Sequence, residues 1–199
     1  MDRMVKRKLS RSEAQEEAAA FHEAGHAFLA WDLNIPFSRK GVAILPQREG
    51  HCSLRRQRAL EDVHQAMNVS GKGRLRMERA VQVCLAGIEA QQRYRPSSIE
   101  DWHGTEVYHQ AVSLIGHFSP HPRELAPYVE LLRIRVQIRL EAQYGWKCVE
   151  TLAAALFEKK ALSGGEITNL IETAMSGKCV QLLAVPANGS SPLALSLSA

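Results

Sequence analysis

The chain lacks the cysteine spacings that hold many small proteins together. It has four cysteines and no C-x-x-C pair: Cys52, Cys84, Cys148 and Cys179. A disulfide framework or a cysteine-rich zinc module requires paired spacings. We therefore expect reduced thiols with mostly structural roles.

Long apolar runs are also missing. No stretch approaches the length needed to cross a bilayer, and no apolar segment follows the basic start, as a signal peptide would require. Residues 1–11 carry five basic side chains against one acid and predict a disordered arm. Residues 186–199 are rich in Ser, Pro, Ala and Leu without a period and predict a disordered tail. The expectation is a soluble cytoplasmic protein without a membrane span.

Two further absences limit the function. Gly71-Lys72-Gly73 does not complete a G-x-x-x-x-G-K-[ST] phosphate loop, so no ATP chemistry is expected. Basic residues do not interleave with aromatic ones in a recognised nucleic-acid-binding motif, so nucleic acid is not the expected partner. With 199 residues, of which 45% are apolar and 23% charged, the chain is predicted to form one globular domain over residues 12–176.

What the sequence does contain is an H-E-x-x-H motif, His22-Glu23-Ala24-Gly25-His26. On an α-helix, residues four apart lie about 40° apart around the axis and one turn along it. The two imidazoles can therefore bind one Zn²⁺, and Glu23 lies beside them as the candidate catalytic base. The alternative is a helix with two buried histidines that only pack, because the motif is short.

The flanking sequence predicts how this helix begins and ends. Ser12 is a candidate N-cap, and Glu13 to Ala20 is rich in helix-forming Ala, Glu and Gln. The helix is predicted to run to about Leu33, before Pro36.

A β-hairpin is predicted after this helix. Residues 40–45 and 50–54 have the pattern of short strands, with a turn over 46–49. Its position after the motif makes it a candidate ledge for an extended substrate, with an ordinary structural hairpin as the alternative.

The rest of the chain predicts helices and, in total, a mainly α (α+β) domain. It would be a zincin-like helical domain with a small sheet beside the zinc helix, followed by a C-terminal helical bundle. The predicted helices span residues 60–67, 73–93, 97 or 98 to 116, 123–144, 146–160 and 164–175.

Zinc needs a third protein ligand. Asp32 is rejected because a continuous helix places it about 120° around the axis from His26. Glu89 on the next long helix is possible, and Glu100 and Asp101 open a helix where a carboxylate can be presented rigidly. Three histidines are possible without a positional argument: His51, His64 and His103.

Three stretches resemble the proteolytic domain of the FtsH family of zinc metalloproteases. The segment 22–27 (HEAGHA) is similar to the family's zinc helix, and 85–90 with 97–102 resembles its "L-x-G-x-x-A" helix and later "N-D-L" segment. The segments 152–160 and 162–167 are similar to its closing "L-A-x-x-L…L-x-G-x-E-I" pattern. The matches occur in family order.

The resemblance implies that Asp101 is the third zinc ligand, beside His22 and His26, with Glu23 as the base. The chain departs from the family at Glu100, where Asn is usual, and carries neither the ATP-driven unfolding domain nor membrane helices. It therefore resembles a stand-alone protease domain.

We interpret the chain as an ATP-independent zinc endopeptidase that cuts flexible or unfolded polypeptides. The alternative from another class is a catalytically idle zinc-binding or scaffolding module with the same fold. The oligomeric state is open between a monomer and a small homo-oligomer.

Overall fold

The computed structural model describes residues 11–44, 51–54, 71–99, 101–119 and 121–176. At residues 11, 12, 39, 51–54, 101–104 and 106 the description covers the backbone alone. Six helices and three short strands make up this part of the chain. In order they are α1 (Arg11–Asp32), β1 (Phe37–Ala43), β2 (His51–Leu54), α2 (Gly71–Tyr94), α3 (Asp101–Gly116), α4 (Pro122–Glu141), α5 (Gly145–Lys159), β3 (Ala161–Leu162) and α6 (Gly164–Met175).

α1 is the central helix of the core. It packs between α2 and α5, and α2 in turn contacts α3 and α4. Ala20, Ala24 and Ala27 are completely buried and lie on the inner side of α1. Small side chains let neighbouring helices approach closely, so the Ala-rich sequence that favours the helix also allows its central position.

Aromatic rings hold α1 just before its first histidine. The Phe21 ring stacks on Tyr94 at the end of α2, with the ring centroids 3.8 Å apart, and lies 5.7 Å from the ring of Trp146 in α5. The guanidinium of Arg93 lies 4.4 Å from the Trp146 centroid. Such pairs add to area burial, so they position this turn of α1 against both neighbours.

α1 ends as its sequence predicts. Asn34 adopts the left-handed conformation at φ 55°, and Ile35 N–H donates to the Ala30 carbonyl over 2.7 Å. Asn tolerates this conformation well, and Pro36 follows. The predicted N-cap is wrong, however, because the helix begins at Arg11 and already includes Ser12.

The predicted antiparallel pair of strands is confirmed beside α1, although β1 spans Phe37–Ala43 and not residues 40–45, and the predicted turn at 46–49 lies outside the described residues. β1 pairs antiparallel with β2, with Val42 opposite Cys52 and Ala43 opposite His51, and it also pairs with β3, which the sequence analysis missed. The strand order is β2–β1–β3. Gly41 has a φ of 62°, and a Cβ there would collide with the Leu162 carbonyl, so glycine allows β3 to approach.

The third helix starts later than predicted. Ser97 and Ser98 belong to a separate 3₁₀ turn, Pro96–Ser98, and Ile99 is extended before α3 begins at Asp101. The Ser98 hydroxyl donates to the Arg95 carbonyl over 2.7 Å and so holds the turn instead of capping a helix.

The prediction of a mainly helical fold with a small sheet is confirmed. Within the part of the chain that the structure describes, Cys84 and Cys148 form no disulfide, and the Cys84 thiol donates to Gln110 Oε1 over 3.1 Å. Among the described residues, no helix combines the length and apolar character required to cross a membrane. The predicted helix at 60–67, the arm up to residue 10 and the tail at 186–199 lie outside the described residues.

Candidate metal centre

Two glycines allow α1 and α2 to meet at the H-E-x-x-H motif. A Cβ on Gly25 would lie 2.7 Å from the Ala90 Cβ and would collide with the Ala86 carbonyl. A Cβ on Gly87 would lie 2.6 Å from His22 Nε2 and would also collide with the His26 ring. The backbone of α2 at Gly87 therefore packs directly against both imidazoles.

The proton of His26 is assigned by its neighbour on α2. His26 Nδ1 lies 2.6 Å from the Val83 carbonyl oxygen. A carbonyl oxygen can only accept, so Nδ1 carries the hydrogen and Nε2 presents a lone pair. Burial lowers the pKa of His26, against the smaller raising effect of this hydrogen bond, and so favours the neutral ring.

The proton of His22 follows from a chain of two hydrogen bonds. Gln91 Nε2 donates to the Ser98 carbonyl and hydroxyl oxygens, both over 3.2 Å. This places Gln91 Oε1 towards His22 Nδ1, at 2.9 Å. An amide oxygen only accepts, so His22 also carries its hydrogen on Nδ1.

The two Nε2 atoms consequently face each other. They lie 3.0 Å apart, with the rings inclined at 79°. Two lone pairs at this distance repel unless a metal ion or a shared proton lies between the two nitrogens. Two nitrogens bound to one tetrahedral zinc at about 2.0–2.1 Å would be roughly 3.3 Å apart, so the pair fits a zinc ion.

Glu23 completes the group. One ligand atom from each of His22, Glu23 and His26 lies within 4.8 Å of the others. Glu23 is 2% exposed, and its Oε2 has no hydrogen-bond partner among the described residues. Burial raises the pKa of Glu23 to about 8. A carboxylate that is buried without a partner is costly, and a nearby cation is one way to compensate it.

Two candidate ligands from the sequence are engaged elsewhere. Asp32 pairs with Arg139 on α4, in agreement with its rejection. Glu89 accepts from Arg133 Nε over 2.6 Å and from Gln137 Nε2 over 2.8 Å, also on α4. Its position two residues from Gly87 turns it to the other side of α2, so its carboxylate faces α4 and not the two imidazoles.

The third ligand stays a prediction. Asp101 is the first residue of α3, and its side chain lies outside the described residues. The same holds for the side chains of the remaining candidates, His51, His64, Glu100 and His103. The structure thus brings together His22, Glu23 and His26.

Sequence reasoning missed the contacts that orient the histidines. Val83, Gly87 and Gln91 are spaced by four residues, which places them on one face of α2. That spacing was visible in the sequence, but the sequence did not show that this face of α2 packs against the two histidines of α1.

No protein-family model matches the chain, and no curated protein matches it. The likeness to the FtsH proteolytic domain is an interpretation of short motifs.

Proposed function

We propose that this protein is a zinc-dependent endopeptidase that cuts flexible or unfolded polypeptides without ATP. The proposal is supported above all by one observation: Nδ1 of His22 and Nδ1 of His26 each face an acceptor oxygen, and the two Nε2 atoms lie 3.0 Å apart. Acceptor groups that receive the N–H of the outer ring nitrogen are typical of metal-binding histidines.

In this proposal His22 and His26 hold the zinc ion, and Asp101 is the third ligand implied by the FtsH resemblance. When bound, zinc would polarise a substrate carbonyl and lower the pKa of water towards about 7. Glu23 Oε2 would take a proton from the attacking water and deliver it to the leaving amine. Its lack of a competing hydrogen bond among the described residues supports this role.

The small sheet is evidence for the proposal that the substrate is a polypeptide. β2 is an outer strand of the three-stranded sheet, and both β1 and β2 contact α1. An extended backbone can bind to such an edge by adding a strand. Folded proteins do not offer free extended segments, which is why the proposed substrates are flexible or denatured chains. A cytoplasmic location remains part of this proposal.

The test measures metal content and casein cleavage on the same samples of wild type, Glu23→Gln and Asp101→Ala. We expect about one zinc per chain in wild type, zinc without cleavage in Glu23→Gln, and loss of zinc in Asp101→Ala. Full zinc in Asp101→Ala would reject that ligand.

The same samples discriminate between the proposal and its alternative. Zinc in wild type without any cleavage would favour the idle zinc-binding module. Absence of zinc from wild type, even after incubation with the metal, would contradict both.

A further inference from the structure

α4 carries apolar residues on two opposite faces, and only one of these faces is buried in the core. Its inner face is formed by four buried residues: Val129, Leu132, Val136 and Leu140. On the opposite side Leu131, Ile134 and Ile138 are 42%, 43% and 61% exposed. A surface helix normally carries polar residues on its outer face. The exposed row therefore indicates a surface that is covered in another state of the protein.

The spacing of the exposed residues matches a helix-pairing seam. Together with the exposed Pro127, they follow one another at intervals of four, three and four residues. This is the a/d spacing by which two helices pack along a common line, with Leu131 and Ile138 at a and Ile134 at d.

Charged residues beside the seam favour a second copy as the partner. Glu130 and Arg135 lie on opposite flanks, at g and e positions, and their side chains are 59% and 47% exposed. In a parallel pair, the g residue of one helix faces the e residue five positions on in the other. Each Glu130 would therefore face Arg135 of the second copy, twice by symmetry.

Glu130 and Arg135 make only weak contacts within their own chain, so both side chains can pair with a second copy. Glu130 is 3.9 Å from Arg133, and Arg135 is 3.4 Å from Glu78, both long for ion pairs. An antiparallel pair would instead place Glu130 beside Gln137 and would gain no charge pairing. The flanking charges thus select the parallel arrangement.

We propose that two copies of this chain associate through the outer face of α4, side by side and in parallel. The seam from Pro127 to Ile138 is only about 16 Å long, so the interface is small. We expect a reversible dimer that forms at micromolar concentrations. The surface lies on the side of α4 away from the core.

The first experiment is sedimentation of the full chain from low micromolar to near-millimolar concentration. Ile138→Gln should raise the dimer dissociation constant at least about tenfold, because it places a polar side chain in the seam. Met175→Gln, at an apolar residue with 40% exposure on α6, is the matched control and should leave it unchanged. Both sites are exposed, so both variants should fold like wild type.

Orientation is tested with Glu130→Lys and with a cysteine at the seam. Glu130→Lys should weaken the dimer, because it places a second positive charge opposite Arg135. Ile134→Cys should form a disulfide-linked dimer on mild oxidation, whereas Glu150→Cys on α5 should not. A wild type that stays monomeric throughout, because the face is covered by the chain itself or needs another protein, would overturn the proposal. A dimer unaffected by Ile138→Gln, or one in which Ile134→Cys does not cross-link, would overturn it as well.

Discussion

The side-chain amide of Gln91 determines which nitrogen of His22 faces the candidate metal centre. It accepts from His22 Nδ1 over 2.9 Å and donates to Ser98 over 3.2 Å. Because Ser98 presents a carbonyl oxygen, reversing the amide would place two acceptor oxygens against each other. The 3₁₀ turn is thereby coupled to the orientation of an imidazole in α1.

Replacing Gln91 is expected to weaken metal binding while leaving the ligands in place. In Gln91→Leu the His22 ring loses its acceptor, and we expect zinc affinity to fall roughly 10- to 100-fold. Gln91→Glu retains an acceptor for His22 and should preserve most of the affinity. Competition with a coloured chelator would measure these changes.

Gln92 provides the control for this prediction. It is the neighbouring residue on α2 and is exposed. Gln92→Leu should bind zinc like wild type. Equal affinity in Gln91→Leu and wild type would show that Gln91 does not orient the ligand.

Gly87 is expected to tolerate no side chain. A Cβ added at Gly87 would occupy the space in front of the two Nε2 atoms and would lie 2.6 Å from His22 Nε2. Gly87→Ala should therefore abolish zinc binding, and overpacking should lower the free energy of unfolding by about 1–3 kcal/mol. Metal analysis and urea unfolding would report the two effects separately.

Gly165 is the matched position for this substitution. It also lies in a helix, and a Cβ there meets nothing within 4 Å. Gly165→Ala should keep its zinc and gain about 0.4–1 kcal/mol in stability. Zinc retained in Gly87→Ala would contradict the proposed position of the metal.

The helices could be predicted because their signals are local. Asn34 and Pro36 end α1 near the predicted residue, and α6 begins at Gly164 as predicted, with Ser163 as its N-cap. β3 could not be predicted, because it has two residues and exists through its pairing with β1. The wrong start of α3 has a similar cause: Ser98 resembles an N-cap, but its hydroxyl bonds to the Arg95 carbonyl.

The candidate site was predictable as far as spacing along one helix determines it. His22, Glu23 and His26 come together because one helical turn brings them together. The contacts of Gln91 with His22 cross from α2 to α1, 69 residues apart in the chain. Such a contact depends on how helices pack, which a single sequence does not specify. For the same reason, Glu89 could not be assigned to its partners on α4 from the sequence.

Glu89 is expected to contribute to stability and not to metal binding. It is 7% exposed and bonds to Arg133 and Gln137, so Glu89→Ala removes the buried acceptor that these two side chains share. We expect a loss of about 1–3 kcal/mol in unfolding free energy with zinc stoichiometry unchanged. Arg133→Met should cost a similar amount, and the double variant should cost less than the sum. Loss of zinc in Glu89→Ala alone, with Arg133→Met unaffected, would identify Glu89 as a ligand after all.

The capping box of α6 should make stability depend on acid pH. Ser163 Oγ accepts from Glu166 N–H over 3.3 Å, and Glu166 Oε2 accepts from Ser163 N–H over 2.9 Å. This backbone hydrogen bond first, and Lys159 next, lower the pKa of Glu166 to about 2 from its usual 4.5. A lowered pKa in the folded state means that the stabilisation is complete above pH 4.5 and is lost as the pH falls towards 2.

Urea unfolding midpoints followed from about pH 6 down to about pH 2 would show this loss in wild type. In Glu166→Gln the corresponding part of the pH dependence should disappear, whereas Glu172→Gln, an exposed change on the same helix, should retain it. Ser163→Ala should lower the stability by about 1 kcal/mol at neutral pH, because the first turn of α6 loses its side-chain acceptor. The same acid dependence in Glu166→Gln and wild type would assign the loss to other carboxylates. In that case the capping box would contribute to helix formation without coupling it to pH.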